Sequence, residues 1–292
     1  MNLAQRLGYD AGEKLLIIHA DDVGSTHAAN LATFELLEAG TITSGSLITP
    51  APWFSEAAAY ARDHPGADLG IHLALNSEYP LYRWSGVLGK AACPTIHDSG
   101  GYLPRTVEEL KEGDPEEVEA ELRAQIDRAL AAGVDVTHLD THMGAVLRGK
   151  FFAVYIKLAV EYRLPCFVWP QWKELRPDAY AMLEEAGAPV LDKVVFETWN
   201  YEGEEAVAFF QRVFRELEPG VTHFLIHPCV DGEDIRAVDP EAGAKRIGDY
   251  IPFRGEGFNP LLDELGVRRI GYREIRDAYR AGKLAAAAGF PH

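Results

Sequence analysis

The stretch Leu15-Leu-Ile-Ile-His-Ala-Asp21-Asp22-Val-Gly24 decides the fold. Its four consecutive apolar residues read as a strand buried on both faces, and two adjacent carboxylates stand where the apolar run stops. Two bare carboxylates side by side repel, so the pair calls for a cation, a shared proton or strong donors. The end of a buried parallel strand is where α/β folds keep their chemistry. Neighbouring strand residues face opposite sides, so Asp21 and Asp22 need not do the same job. The plainer reading makes them caps for a helix beginning near Thr26, since Asp is a favoured N-cap and Gly24 suits a turn.

Outward from this strand the chain alternates. Helices are expected over 26–39, 53–63, 115–132, 151–162, 179–186 and 204–217, and strands over 46–49, 69–75, 134–141, 165–169, 193–198, 222–227 and 268–271. Asp114 followed by Pro115 and early acidic residues marks a helix start with particular clarity. Two stretches, 76–105 and 231–259, lack any sustained period and read as long loops, the first as a lid or binding loop. About eight strands with interleaved helices predict an α/β fold: a TIM-like (β/α) barrel, one domain over 1–292, with the loops inserted at the C-terminal rim.

Composition narrows the partners. A formal charge of −17 works against phosphate backbones and anionic membrane, so neither nucleic acid nor membrane is an expected partner. No apolar run approaches a membrane span and no basic-flanked leader is seen, which predicts a cytoplasmic protein. Cys93, Cys166 and Cys229 are widely spaced and unpaired in pattern, so free thiols are expected rather than disulfides or a thiolate zinc site.

On this map Asp21, Asp22, His72, His142 and His227 all fall at or near the C-terminal ends of strands, the rim where a barrel places its active site. One carboxylate and two imidazoles form a three-ligand set suited to a catalytic divalent metal, because positions stay open for water and substrate. His138, Asp140 and His142 share one face at a two-residue period, and Asp140 could orient an imidazole. His27, His64, His97 and His292 read as ordinary core or surface histidines.

These residues carry a resemblance. Ala20-Asp21-Asp22-Val23-Gly24, Gly70-Ile71-His72-Leu73, His138-Leu139-Asp140-Thr141-His142 and His227-Pro228 are similar, in order and spacing, to motifs of the YdjC/ChbG family of carbohydrate deacetylases. The resemblance runs from about Leu15 to Gly271. It implies a barrel-like fold, Asp22, His72 and His142 as ligands of Mg²⁺ or Zn²⁺, and removal of the acetyl group from an N-acetylated amino sugar. Val23 departs from the family's Phe, Gly144 stands where the family often has another histidine, and the segment around Val168 lacks an expected Arg.

Amide hydrolysis needs a nucleophilic water, a polarised carbonyl and a proton for the leaving amine. Asp21 is the expected base and His227 the expected acid. Trp169, Trp172, Trp199, Tyr201, Tyr82 and Trp84 are candidates for stacking on sugar rings, with packing as the plainer reading. The expected partners are the sugar and, at most, a second copy of the chain as a homodimer. Two rival functions are a non-catalytic sugar-binding barrel, which would bind sugar without releasing acetate, and a two-histidine, one-carboxylate Fe(II) oxygenase, which would consume dioxygen.

Overall fold

In the computed structural model, which describes residues 1–284, the opening stretch is strand β1 (Lys14–Val23), buried along almost its whole length. Leu15 and Ile17 pack in one cluster with Leu69, Ile71 and Leu139, whereas Leu16, Ile18 and Ala20 pack in another with Phe210, Phe214 and Phe253. The two-residue period of the strand thus separates two apolar clusters, and helices cover them.

Strands β2 (Ser44–Leu47), β3 (Leu69–Leu73), β4 (Leu139–Thr141), β5 (Lys193–Val195), β6 (Gly220–Ile226) and β7 (Arg268–Arg269) complete a sheet whose order is β4-β3-β2-β1-β6-β5, with β7 beside β1. All pairings are parallel. β6 matches β1 residue for residue from Lys14 to Ala20, while β7 pairs at Leu15 and Leu16 and β2 from His19 onward. The C-terminal ends of β1, β3, β4 and β6 therefore gather at one mouth.

The result is an α/β fold with a seven-stranded parallel half-barrel, where a closed ring of eight was expected. The difference lies at 165–169, where only an isolated bridge between Leu139 and Cys166 forms. Pro165 and Pro170, which have no N–H to donate, bracket that segment. Among the described residues no ladder joins β4 to β5.

Helices His27–Glu38, Phe54–Asp63, Pro115–Ala131, Phe151–Tyr162, Pro177–Glu185 and Gly203–Arg215 lie close to their expected spans. The second irregular stretch, by contrast, carries helices Glu233–Val238 and Gly243–Tyr250, and another, Tyr272–Arg280, follows β7. β4 begins only at Leu139, which leaves His138 just before it. The three cysteines are free and buried, and among the described residues no helix is long and apolar enough to cross a membrane.

Candidate active site

Thr26, rather than either aspartate, caps the helix after β1, its Oγ1 accepting from the Ala29 N–H at 3.1 Å. The acid pair turns to the mouth of the sheet instead. β1 shifts register against β2 between Ala20 and Val23, and Asp22 sits at φ 64°, a left-handed conformation that Asp tolerates better than most residues. Regular alternation would send Asp22 to the side of Ile18 and Ala20. The irregularity brings it round, so both carboxylates line one cleft of about 540 Å³. The expected opposite facing of the two is corrected accordingly; their contacts still differ.

Asp22 Oδ1 lies 2.9 Å from His142 Nδ1 and 3.3 Å from His72 Nε2. One donor atom from each of these three buried residues falls within 4.8 Å of the others. A carboxylate with two imidazoles, converging from three separate chain segments, fits a divalent cation. His72 Nδ1 pairs with Asp140 Oδ1 at 2.7 Å, which leaves Nε2 to face Asp22. Asp140 Oδ2 in turn lies 2.9 Å from His19 Nε2, and that same nitrogen is 3.2 Å from Asp21 Oδ1. His19 thereby braces both the orienting carboxylate and the proposed base.

His138 stays behind the cleft. Its ring stacks on Tyr272 at 3.9 Å and its Nδ1 pairs with Thr137 Oγ1 at 2.9 Å. It shares the side of Asp140, at 3.9 Å, but not that of His142, which opens the turn after β4. His138 also explains Gly70, where a Cβ would lie 2.4 Å from the imidazole Cε1.

Arg246 supplies the cation that the acid pair called for. Its Nη1 lies 2.7 Å from Asp22 Oδ2, and its remaining nitrogens reach Tyr79 Oη and Asp239 Oδ2, each at 3.1 Å. Burial opposes the Asp22 charge, but Arg246 and His142 hold its carboxyl well below the usual range. Burial likewise opposes a proton on His142, yet Glu78, 2.8 Å from Nε2, and Asp22 push it up to about 9. His72 is raised as well, Asp140 and Asp21 outweighing its burial.

His227 sits just past β6, its Nε2 3.6 Å from Asp21 Oδ2. Burial lowers it to about 4, against the pull of Asp21, so the imidazole is neutral at neutral pH. Its backbone N–H donates to Asp249 Oδ2 at 2.9 Å, and Trp199 packs edge-on at 4.7 Å between ring centroids.

Of the candidate aromatics, Trp199 lines the main cleft, while Trp169 and Trp172 line a neighbouring chamber. Tyr201 stacks on Phe209, Trp84 is buried beside Tyr79, and Tyr82 donates to Ser25 O, so these three are packing residues. His27, His64 and His97 pair with Glu56, Tyr60 O and Cys93 O outside the site, and His292 lies outside the described residues. Sequence reasoning passed over Arg246, Glu78 and His19. Arg246 left no hydropathy signal, because the helix face it shares with Gly243, Asp249 and Tyr250 is buried without being apolar.

Comparison with known proteins adds an independent line. A family model described as YdjC-like protein matches residues 15–264. A curated relative named carbohydrate deacetylase from Thermus thermophilus is 34% identical over 294 residues, covering 95% of this chain and 99% of its own. Another of that name, from Geobacillus stearothermophilus, is 34% identical over 259 residues, covering 89% and 97%. A crystal structure of an Enterococcus faecalis V583 protein, named for cellobiose-phosphate cleavage, superposes with a TM-score of 0.76 at 23% identity, over 90% of this chain and 99% of that one, and supports the fold. With a family match over most of its length and relatives aligned nearly end to end, the chain belongs to the YdjC-like family.

Proposed function

We propose that this protein is a carbohydrate deacetylase, hydrolysing the acetamide of an N-acetylated amino sugar or short oligosaccharide. The observation that carries the reading is the meeting of Asp22, His72 and His142 within 4.8 Å beside a carboxylate-imidazole pair, Asp21 and His227. The names of the aligned relatives agree with it. The three converging donors are assigned to a divalent ion, Mg²⁺ or Zn²⁺, and when bound such an ion activates water and polarises the amide carbonyl.

The chain's own groups handle the protons. Asp21 accepts a proton from the attacking water. A neutral His227 has none of its own to give, so the proton it delivers to the leaving nitrogen is one it first takes up, and Asp21, 3.6 Å away, is the nearby source. His19 holds Asp21 in place, and Asp140 fixes the His72 ring. Trp199 and the polar walls of the cleft receive the sugar.

The test is acetate and free-amine release from N-acetylhexosamines and their short oligomers with Mg²⁺, Zn²⁺, Mn²⁺ or Co²⁺. Equal amounts of the two products are expected, with His227→Ala slowing turnover by roughly 10²-fold or more. No acetate from any combination, with the protein folded and metal-loaded, overturns the proposal; sugar binding under those conditions would then support the non-catalytic reading.

A further inference from the structure

A second cavity of about 260 Å³ adjoins the main cleft, and Asp21, Met143 and His227 line both. The two differ in chemistry. The main cleft is walled by Glu78, Arg105, Asp239, Glu241 and Arg246, groups that exchange hydrogen bonds with hydroxyls. The second is walled chiefly by Leu147, Phe167, Trp169, Trp172, Phe196 and Leu225. An amide held at Asp21 and His227 has an amine arm and an acyl arm. The hydroxyl-bearing sugar matches the polar cleft, which leaves the acyl arm to the apolar chamber.

Size sharpens the assignment. An acetyl group ends in one methyl, comparable to a water molecule with its share of about 30 Å³. The chamber is several times larger, and Gly144 on its wall has nothing within 4 Å of where a Cβ would stand. We propose that the site accepts amino sugars whose N-acyl group is longer than acetyl, about three to six carbons, with the chain seated among Leu147, Phe167, Trp169 and Leu225. This rests on the amide-hydrolase reading above. The bond chemistry is unchanged: the water oxygen joins the acyl carbon, the C–N bond breaks, the amine gains a proton and the acyl group departs as a carboxylate.

The experiment compares N-acetyl-, N-propanoyl- and N-butanoylglucosamine and diacetylchitobiose on the metal-loaded full chain, reading free amine. Each added methylene should raise kcat/KM about fourfold, the scale of burying one such group. Leu147→Trp, which fills the chamber, should cut the butanoyl-to-acetyl ratio of kcat/KM by roughly tenfold. If that variant fails to fold, Phe196→Trp at a half-exposed position carries the same expectation. Acetyl turnover with a flat or falling response to chain length overturns the inference while leaving deacetylation intact. A gain confined to the second sugar ring also overturns it and makes the chamber a stacking site. Turnover of none of the four overturns this inference, and the wider N-acetylhexosamine panel with the four metals then decides the hydrolase reading separately.

Discussion

Asp21 and Asp22 are neighbours with separate contacts. Asp22 faces His72, His142 and Arg246; Asp21 faces His19 and His227. Replacing each carboxylate by an amide preserves shape and removes charge, so the two variants separate cation binding from proton transfer. Asp22→Asn should weaken metal binding more than the 10–100-fold typical of an outer partner, with part of the activity restored by excess metal. Asp21→Asn should hold the ion within a few-fold and stay slow by roughly 10²–10⁴ at any metal concentration, because an amide cannot take the water's proton. Calorimetry checks both, and equal loss of affinity would mean the carboxylates share the ion. The acid pair was legible because an apolar run ends in two charges. The turn at φ 64° was not, since it depends on the register of β1 against β2.

At the scale of elements, the helix Gly243–Tyr250 walls the site with Arg246 and packs beside His227, whose N–H donates to Asp249 Oδ2. Its buried face carries Arg246 and Asp249 rather than a full apolar stripe, so a reading based on hydropathy sees a loop. Helices that bury apolar stripes, such as Phe151–Tyr162, were legible for the converse reason. The strand expected at 165–169 has the opposite outcome: an apolar run between two prolines has β composition but, among the described residues, forms a single bridge, to Leu139, through Leu139 N–H to Pro165 O and Phe167 N–H to Leu139 O. Arg246→Met keeps much of the side-chain volume but takes the guanidinium from the buried Asp22 carboxylate, which keeps only His142 and His72 as positive partners. It should destabilise the metal-free protein by up to roughly 3–5 kcal/mol, the scale of a fully uncompensated buried charge, with the two remaining imidazoles lowering that figure. Added metal should recover part of that loss by supplying another cation. Urea unfolding with and without metal measures both effects, and a loss below about 1 kcal/mol would show that the pair does not hold the mouth together.

For the whole molecule, the half-barrel assembles positive and negative groups so that folding and the proposed metal binding answer to the same protons. In the metal-free fold His142 is raised to about 9 and His72 is raised too, because Asp22, Glu78, Asp140 and Asp21 outweigh burial. An imidazole whose folded pKa exceeds its unfolded value of about 6.5 contributes stability that is full below that value and is lost as pH rises towards 9. The metal-free protein should therefore lose this contribution between pH 6.5 and about 9. With His72 and His142 as the proposed ligands, the metal-loaded protein would carry these imidazoles deprotonated, so over that window it should show no such loss. Metal bound by both imidazoles must displace up to about two protons, and its apparent affinity should rise with pH by as much as about 100-fold per unit, with the share of His142 levelling near 9. The stabilisation it confers follows RT ln(1 + [M]/Kd), so the gap between loaded and metal-free unfolding free energies should widen across the window. Denaturant unfolding at fixed temperature and fixed free metal from pH 6.5 to 9, with calorimetry in buffers of different ionisation enthalpy, reads the gap and the released protons together. A constant gap with no proton release would remove His72 and His142 from the ligand set, whatever the fold brings close.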